Sequence, residues 1–116
     1  PTPPDAALVL EALARGYMLA ERWADARKGC EMWRALEPNH PWPWHWEGLI
    51  AERMIQPETA AAAHARALEL DPNDPAVRLA VARVALDRRG AADARPHLEW
   101  VLARAPDDAE ALLGLA

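Results

Sequence analysis

Ala67-Leu68-Glu69-Leu70-Asp71-Pro72-Asn73 is the stretch whose reading decides the fold, because its ending recurs along the chain. Leu36-Glu37-Pro38-Asn39 precedes it by 34 residues and Arg104-Ala105-Pro106-Asp107 follows by 34. Pro4 extends the same spacing toward the start. Ala26, Ala60 and Ala94 each stand twelve residues before one of these prolines. A fixed period of this length marks an array of supersecondary units, each needing its neighbours to cover its apolar face. Each proline stops a helix and turns the chain.

Between the prolines the apolar spacing is helical, as in Leu10, Leu13 and Tyr17. The expected helices run over about 7–20, 24–36, 42–54, 74–88 and 92–105, with another restarting at Pro57. Pro43 falls in the first turn of its helix and removes no hydrogen bond there. Glu58 suits the positive end of the helix that Pro57 opens. Pro96 falls within or just beyond the first turn of its own. The alanine run Ala60–Ala63 favours helix and close approach.

The 34-residue period and its punctuation resemble the tetratricopeptide (TPR) repeat. The places its pattern marks hold Leu10, Leu13, Ala14, Tyr17, Ala26, Cys30 and Pro38 in residues 7–40. In residues 41–74 they hold Trp44, Glu47, Gly48, Ala51, Ala60, His64 and Pro72, and in 75–108 Arg78, Val81, Ala82, Ala85, Ala94, Leu98 and Pro106. Residues 109–116 begin a cap or fourth repeat, with Leu112, Leu115 and Ala116 in place. The resemblance implies an all-α, right-handed superhelical solenoid of antiparallel helix hairpins, one domain over 1–116. Three departures stand out: Glu47 and Arg78 replace large apolar residues, and Trp33 replaces a small one. Glu47 and Arg78 are candidates to pair across neighbouring units.

Composition narrows the function classes. The formal charge of −5 argues against nucleic acid or an anionic membrane surface as partner. Cys30 stands alone, so no internal disulfide forms and a cytoplasmic setting is expected, with a periplasmic or membrane-anchored full-length protein left open. No apolar run is long enough to span a bilayer. The start at Pro1 and the end at Ala116, mid-pattern, read as a fragment; arginine over lysine and abundant alanine suggest a bacterial genome. His40, His45, His64 and His97 give no metal spacing, and no phosphate loop or nucleophile elbow occurs. The segment is expected to be no enzyme and to need neither metal nor cofactor. His64 and Cys30 read as packed core groups.

In the TPR family the first helix of each hairpin lines an inner groove. Carried over by position, the lining is Leu8, Glu11, Arg15, Met18 and Leu19, then Trp42, His45, Trp46, Leu49 and Arg53, then Leu79, Arg83 and Leu86. Trp42 and Trp46 share a helical face, while Trp44 points to the packing side. Family members that clamp acidic C-termini use Lys, Arg and Asn where this chain has Glu11, Arg15, His45, Leu49, Leu79 and Arg83, so that mode is not expected. The lining predicts a mainly apolar peptide or helical segment of a protein partner, with aromatic and arginine anchors. The chain then acts as an adaptor or assembly factor. Two alternatives stand beside this: a chaperone resembling those of bacterial type III secretion for hydrophobic translocators, and a recruiting or regulatory segment of a larger enzyme. An upstream helix lying over Trp42 and Trp46 is the competing use of the groove. Trp23, Trp33 and Trp100 read as packing residues, and the uncapped C-terminal end as a possible homo-oligomer contact.

Overall fold

The computed structural model describes residues 4–88 and 90–115; the expectations for Pro1 and for Ala116 lie outside the described residues. Among the described residues seven helices follow in order: α1 (Ala6–Leu19), α2 (Trp23–Leu36), α3 (Pro41–Arg53), α4 (Pro57–Leu70), α5 (Pro75–Arg88), α6 (Ala91–Arg104) and α7 (Ala109–Leu115). α1 packs on α2, α3 on α4 and α5 on α6 as hairpins. The hairpins stack through α2 on α3 and α4 on α5, and α7 closes the far end against α6 and α5. Stacking each hairpin on the next gives a long body, 48 × 26 × 21 Å. Among the described residues no helix is long and apolar enough to cross a membrane.

The period is visible in the hydrogen bonds. His40, Asp74 and Asp108, 34 apart, sit just before α3, α5 and α7 and accept from the amides of Trp42, Ala76 and Ala111. They satisfy donors that a helix start leaves free. Inside the hairpins the turn repeats too: the N–H groups of Arg22, Gln56 and Gly90 donate to the carbonyls of Tyr17, Ala51 and Ala85, at 2.8, 2.9 and 2.9 Å. This long return bond closes a helix whose chain has swung into the left-handed region. Glu21 (φ 58°) and Ile55 (φ 56°) supply that turn without the help of a glycine.

Small residues set how closely the helices approach. Ala26, Ala60 and Ala94 are fully buried at equivalent places, as are Ala14 and Ala82. Gly48 takes the place equivalent to Ala14 and Ala82, for a local reason. A Cβ there would stand 2.6 Å from both ring nitrogens of His64, so the glycine makes the slot that His64 fills. Cys30, His64 and Leu98 are equivalent core positions, all buried. Burial pushes the Cys30 thiol up to about 12, with Glu47 adding to the effect, so the thiol is inert.

Glu47 and Arg78 do not meet. Glu47 is buried where the first two hairpins join and accepts from Arg34 of α2. Arg78 instead donates to the Pro72 carbonyl at 3.0 Å and lies 4.8 Å from the Trp100 ring centre. Trp33 is buried, edge-on to Trp46 at 5.3 Å, and donates to Glu37 at 2.8 Å. The outer end of the first hairpin is apolar: Val9, Leu10, Met32, Ala35 and Leu36 line an open hollow of about 510 Å³. Val9 is half exposed there, whereas Pro43 and Val77, one and two periods on, are buried.

Candidate functional site: the wall built by α1, α3 and α5

Two depressions adjoin along the side where the first helices of the hairpins follow one another. The first, about 380 Å³, is lined by Arg15, Met18 and Leu19 of α1, Trp23 of α2, and Trp46, Leu49 and Arg53 of α3. The second, about 470 Å³, is lined by Leu49, Glu52 and Arg53 of α3 with Arg83 of α5. Leu49 and Arg53 belong to both, so the wall is continuous across the three hairpins.

Helical spacing explains the set. Arg15, Met18 and Leu19 lie at i, i+3 and i+4 on α1, and Trp46, Leu49 and Arg53 at i, i+3 and i+7 on α3. Trp23 begins α2 immediately after the turn and reaches the same hollow. Trp46 is half-buried; Trp33 supports one side of its ring and the Arg15 guanidinium stands 5.6 Å from its centre. Leu19 is 81% exposed, far more than packing alone requires of a leucine.

A chain of polar groups runs from His45 and His64, buried behind the wall, out to its surface. His64 of α4, 0% exposed, places Nε2 2.9 Å from Glu52 and Nδ1 3.3 Å from His45 Nδ1. A carboxylate only accepts, so His64 donates through Nε2 and, when neutral, accepts at Nδ1 from His45. Glu52 also takes two bonds from Arg83, at 2.6 and 2.9 Å, and Arg83 donates a third to Glu110 of α7 at 2.7 Å. Burial alone would raise the Glu52 carboxyl. The bonds from Arg83 and His64 outweigh it and hold Glu52 at about 2. Burial, then the neighbouring His64 and Arg83, press His45 down to about 4, so its ring is neutral at physiological pH.

The residues expected to line the groove fall into three sets. Arg15, Met18, Leu19, Trp46, Leu49, Arg53 and Arg83 come together in the two depressions. Leu8 is exposed farther up α1, and Glu11 pairs with Arg15 at 3.1 Å. Trp42, 36% exposed, rests edge-on against His45 at 5.2 Å and lines neither depression. His45 is 5% exposed and belongs to the polar chain, while Leu79 and Leu86 pack against the core shared by α5, α6 and α7. Trp44 is half-buried under the Arg34 guanidinium at 4.3 Å, and its buried Nε1 has no acceptor among the described residues. Glu52, which the carry-over by position also places in the lining, and Trp23, read from the sequence as a packing residue, complete the wall. Trp23 had no helical neighbour on α1 to signal it, since it reaches the hollow across the turn. Among the described residues no three His, Cys, Asp or Glu side chains gather to hold a metal ion.

Solved structures share this architecture. MamA from Desulfovibrio magneticus RS-1 superposes with a TM-score of 0.89 at 25% identity, over 96% of this chain and 63% of that one. The second TPR domain of human RPAP3, in complex with an HSP70 peptide, superposes at 0.86 with 14% identity, over 95% and 92%. The stack of hairpins is the fold they share. The chain is a tetratricopeptide-repeat solenoid. The O-GlcNAc transferase of Thermobaculum terrenum contains a comparable TPR stack: TM-score 0.86, 20% identity, 99% of this chain but 22% of that enzyme. This chain spans about three fifths of the MamA chains. No family sequence model and no curated protein sequence matches it.

Proposed function

We propose that this TPR stack is a protein-binding module whose wall of α1, α3 and α5 holds a mainly apolar segment of a partner, without chemistry of its own. The observation that carries this is the first depression, where Met18, Leu19, Trp23, Trp46 and Leu49 form an open apolar surface with arginine at its edges. Large apolar side chains left facing solvent in one hollow are what a recognition surface requires. Each anchor a partner buries there contributes about 1.5–3 kcal/mol.

TPR structures holding chaperone tails support the class of function, since the human RPAP3 domain is bound to an HSP70 peptide ending in acidic residues. They do not transfer the ligand. An acidic tail needs free cations, and Arg83 here is already held by Glu52 and Glu110. The transferase stack supports a second reading, in which such a wall recruits substrates to a catalytic domain of the same protein. In both readings the wall binds protein.

Site-specific photocrosslinking in cells separates the wall from the rest of the surface. A crosslinker at Leu19 is expected to give a discrete adduct that Leu49→Asp removes without lowering the melting temperature, and a crosslinker at Leu49 itself is expected to capture the same partner. The same group at Ala62, on α4 away from this wall, is expected to give none. Equal adducts from all three positions count against the groove.

A further inference from the structure

Three cations face the wall, and their partners differ. Arg83 is bound twice by Glu52 and once by Glu110, so its charge is more than balanced. Arg15 is paired with Glu11 at 3.1 Å and leans over Trp46. Arg53 is exposed at the boundary of the two depressions and makes no ion pair among the described residues. In a chain of net charge −5 this leaves one uncompensated positive group beside the apolar hollow. On its far side stand the two carboxylates that serve Arg83.

We infer that the bound segment carries a carboxylate beside its apolar anchor, and that Arg53 receives it. This rests on the groove reading above and adds the chemistry of the partner: an acidic-apolar sequence of protein, with its charge placed in one position. The apolar side chain enters between Met18, Trp23, Trp46 and Leu49, and an Asp or Glu within one helical turn or a few extended residues reaches Arg53. The planar guanidinium then binds the carboxylate in a fork, next to an apolar floor that keeps water from one side. A carboxylate displaced toward α5 meets Glu52 and Glu110 instead, where two anions already share one arginine. Charge therefore fixes the direction and the frame in which the segment lies. A side-chain carboxylate is all that Arg53 requires, so an internal sequence satisfies this site as well as a terminal one.

The test uses a random linear twelve-residue peptide library displayed on phage and selected against the intact chain. Selected peptides are expected to hold Trp, Phe, Leu or Met within four residues of Asp or Glu. Their affinity for Arg53→Ala is expected to fall by about fivefold to tenfold, and further for Arg53→Glu, as loss of a charge-assisted contact dictates. Circular dichroism should be unchanged, since Arg53 is exposed. Leu49→Asp should abolish binding of the same peptides. Enriched apolar peptides without acidic residues, or with basic ones, overturn the inference and leave the groove reading standing. Unchanged affinity of acidic peptides for Arg53→Glu does the same. A library that enriches nothing overturns both. So does sedimentation showing a dimer that Leu49→Asp dissolves, because the groove then belongs to a second copy of the chain.

Discussion

Position 55 shows how the hairpin turn is made under protest. A β-branched side chain in the left-handed region is strained, and Ile55 (φ 56°) is also 85% exposed, so no packing compensates. Ile55→Gly is expected to stabilise the chain by about 1 kcal/mol, read as a shift of the urea midpoint at constant slope. Glu47 makes a different prediction. Burial between hairpins pushes its carboxyl up to about 7, with Arg34 opposing. A raised carboxyl contributes stability that is full below its unfolded value near 4.5 and lost as pH rises through 7. His45, held at about 4 against an ordinary 6.5, acts with the opposite sign: its contribution is present above 6.5 and lost as pH falls through 4. The two offset each other between about pH 4.5 and 6.5. Glu47→Gln should unmask His45, so that stability measured by chemical denaturation climbs with pH across this interval more steeply than in the parent. The residue types at 47 and 78 announced exceptions in the sequence, but their partners did not. Whether Glu47 turns toward Arg34 or Arg78 depends on which neighbouring helix its face meets, and spacing along the chain carries no such information.

At the scale of the helices, proline and the cap positions made the boundaries legible: the expected spans and the observed ones differ by one residue at most ends. Ala26, Ala60 and Ala94 mark close contacts because nothing larger fits where hairpin helices cross, and all three are buried. What stayed hidden was the tie between α3 and α5. Glu52 and Arg83 are 31 residues apart, on helices that only stacking brings together. Arg83→Met and Glu52→Gln, singly and combined, are expected to show a coupling of about 1–2 kcal/mol in a double-mutant cycle. That is less than a fully buried pair would give, because Arg83 remains partly exposed. A coupling near zero would mean that this pair does not help to hold α5 against α3.

For the whole molecule, the stability of a stack is a sum over neighbours, so its ends are its weak points. α7 covers Leu98, Ala82 and Leu86 and supplies Glu110 to Arg83. Ending the chain after Asp108 is expected to cost about 3 kcal/mol and to lower the melting temperature without altering helix content elsewhere. The groove was legible in part, for the same reason that it is regular: side chains at i, i+3 and i+4 on the first helices necessarily share a wall. Leu79 and Leu86 follow that rule too, yet they pack, partly buried, against the core that α5 shares with α6 and α7. The opposite end has no such closure among the described residues. Val9 there stands at the place where Pro43 of α3 and Val77 of α5 are buried under the hairpin before them. A designer wishing to lengthen the array could therefore graft an extra hairpin ahead of Asp5, in step with the 34-residue rhythm, and find its seat already shaped.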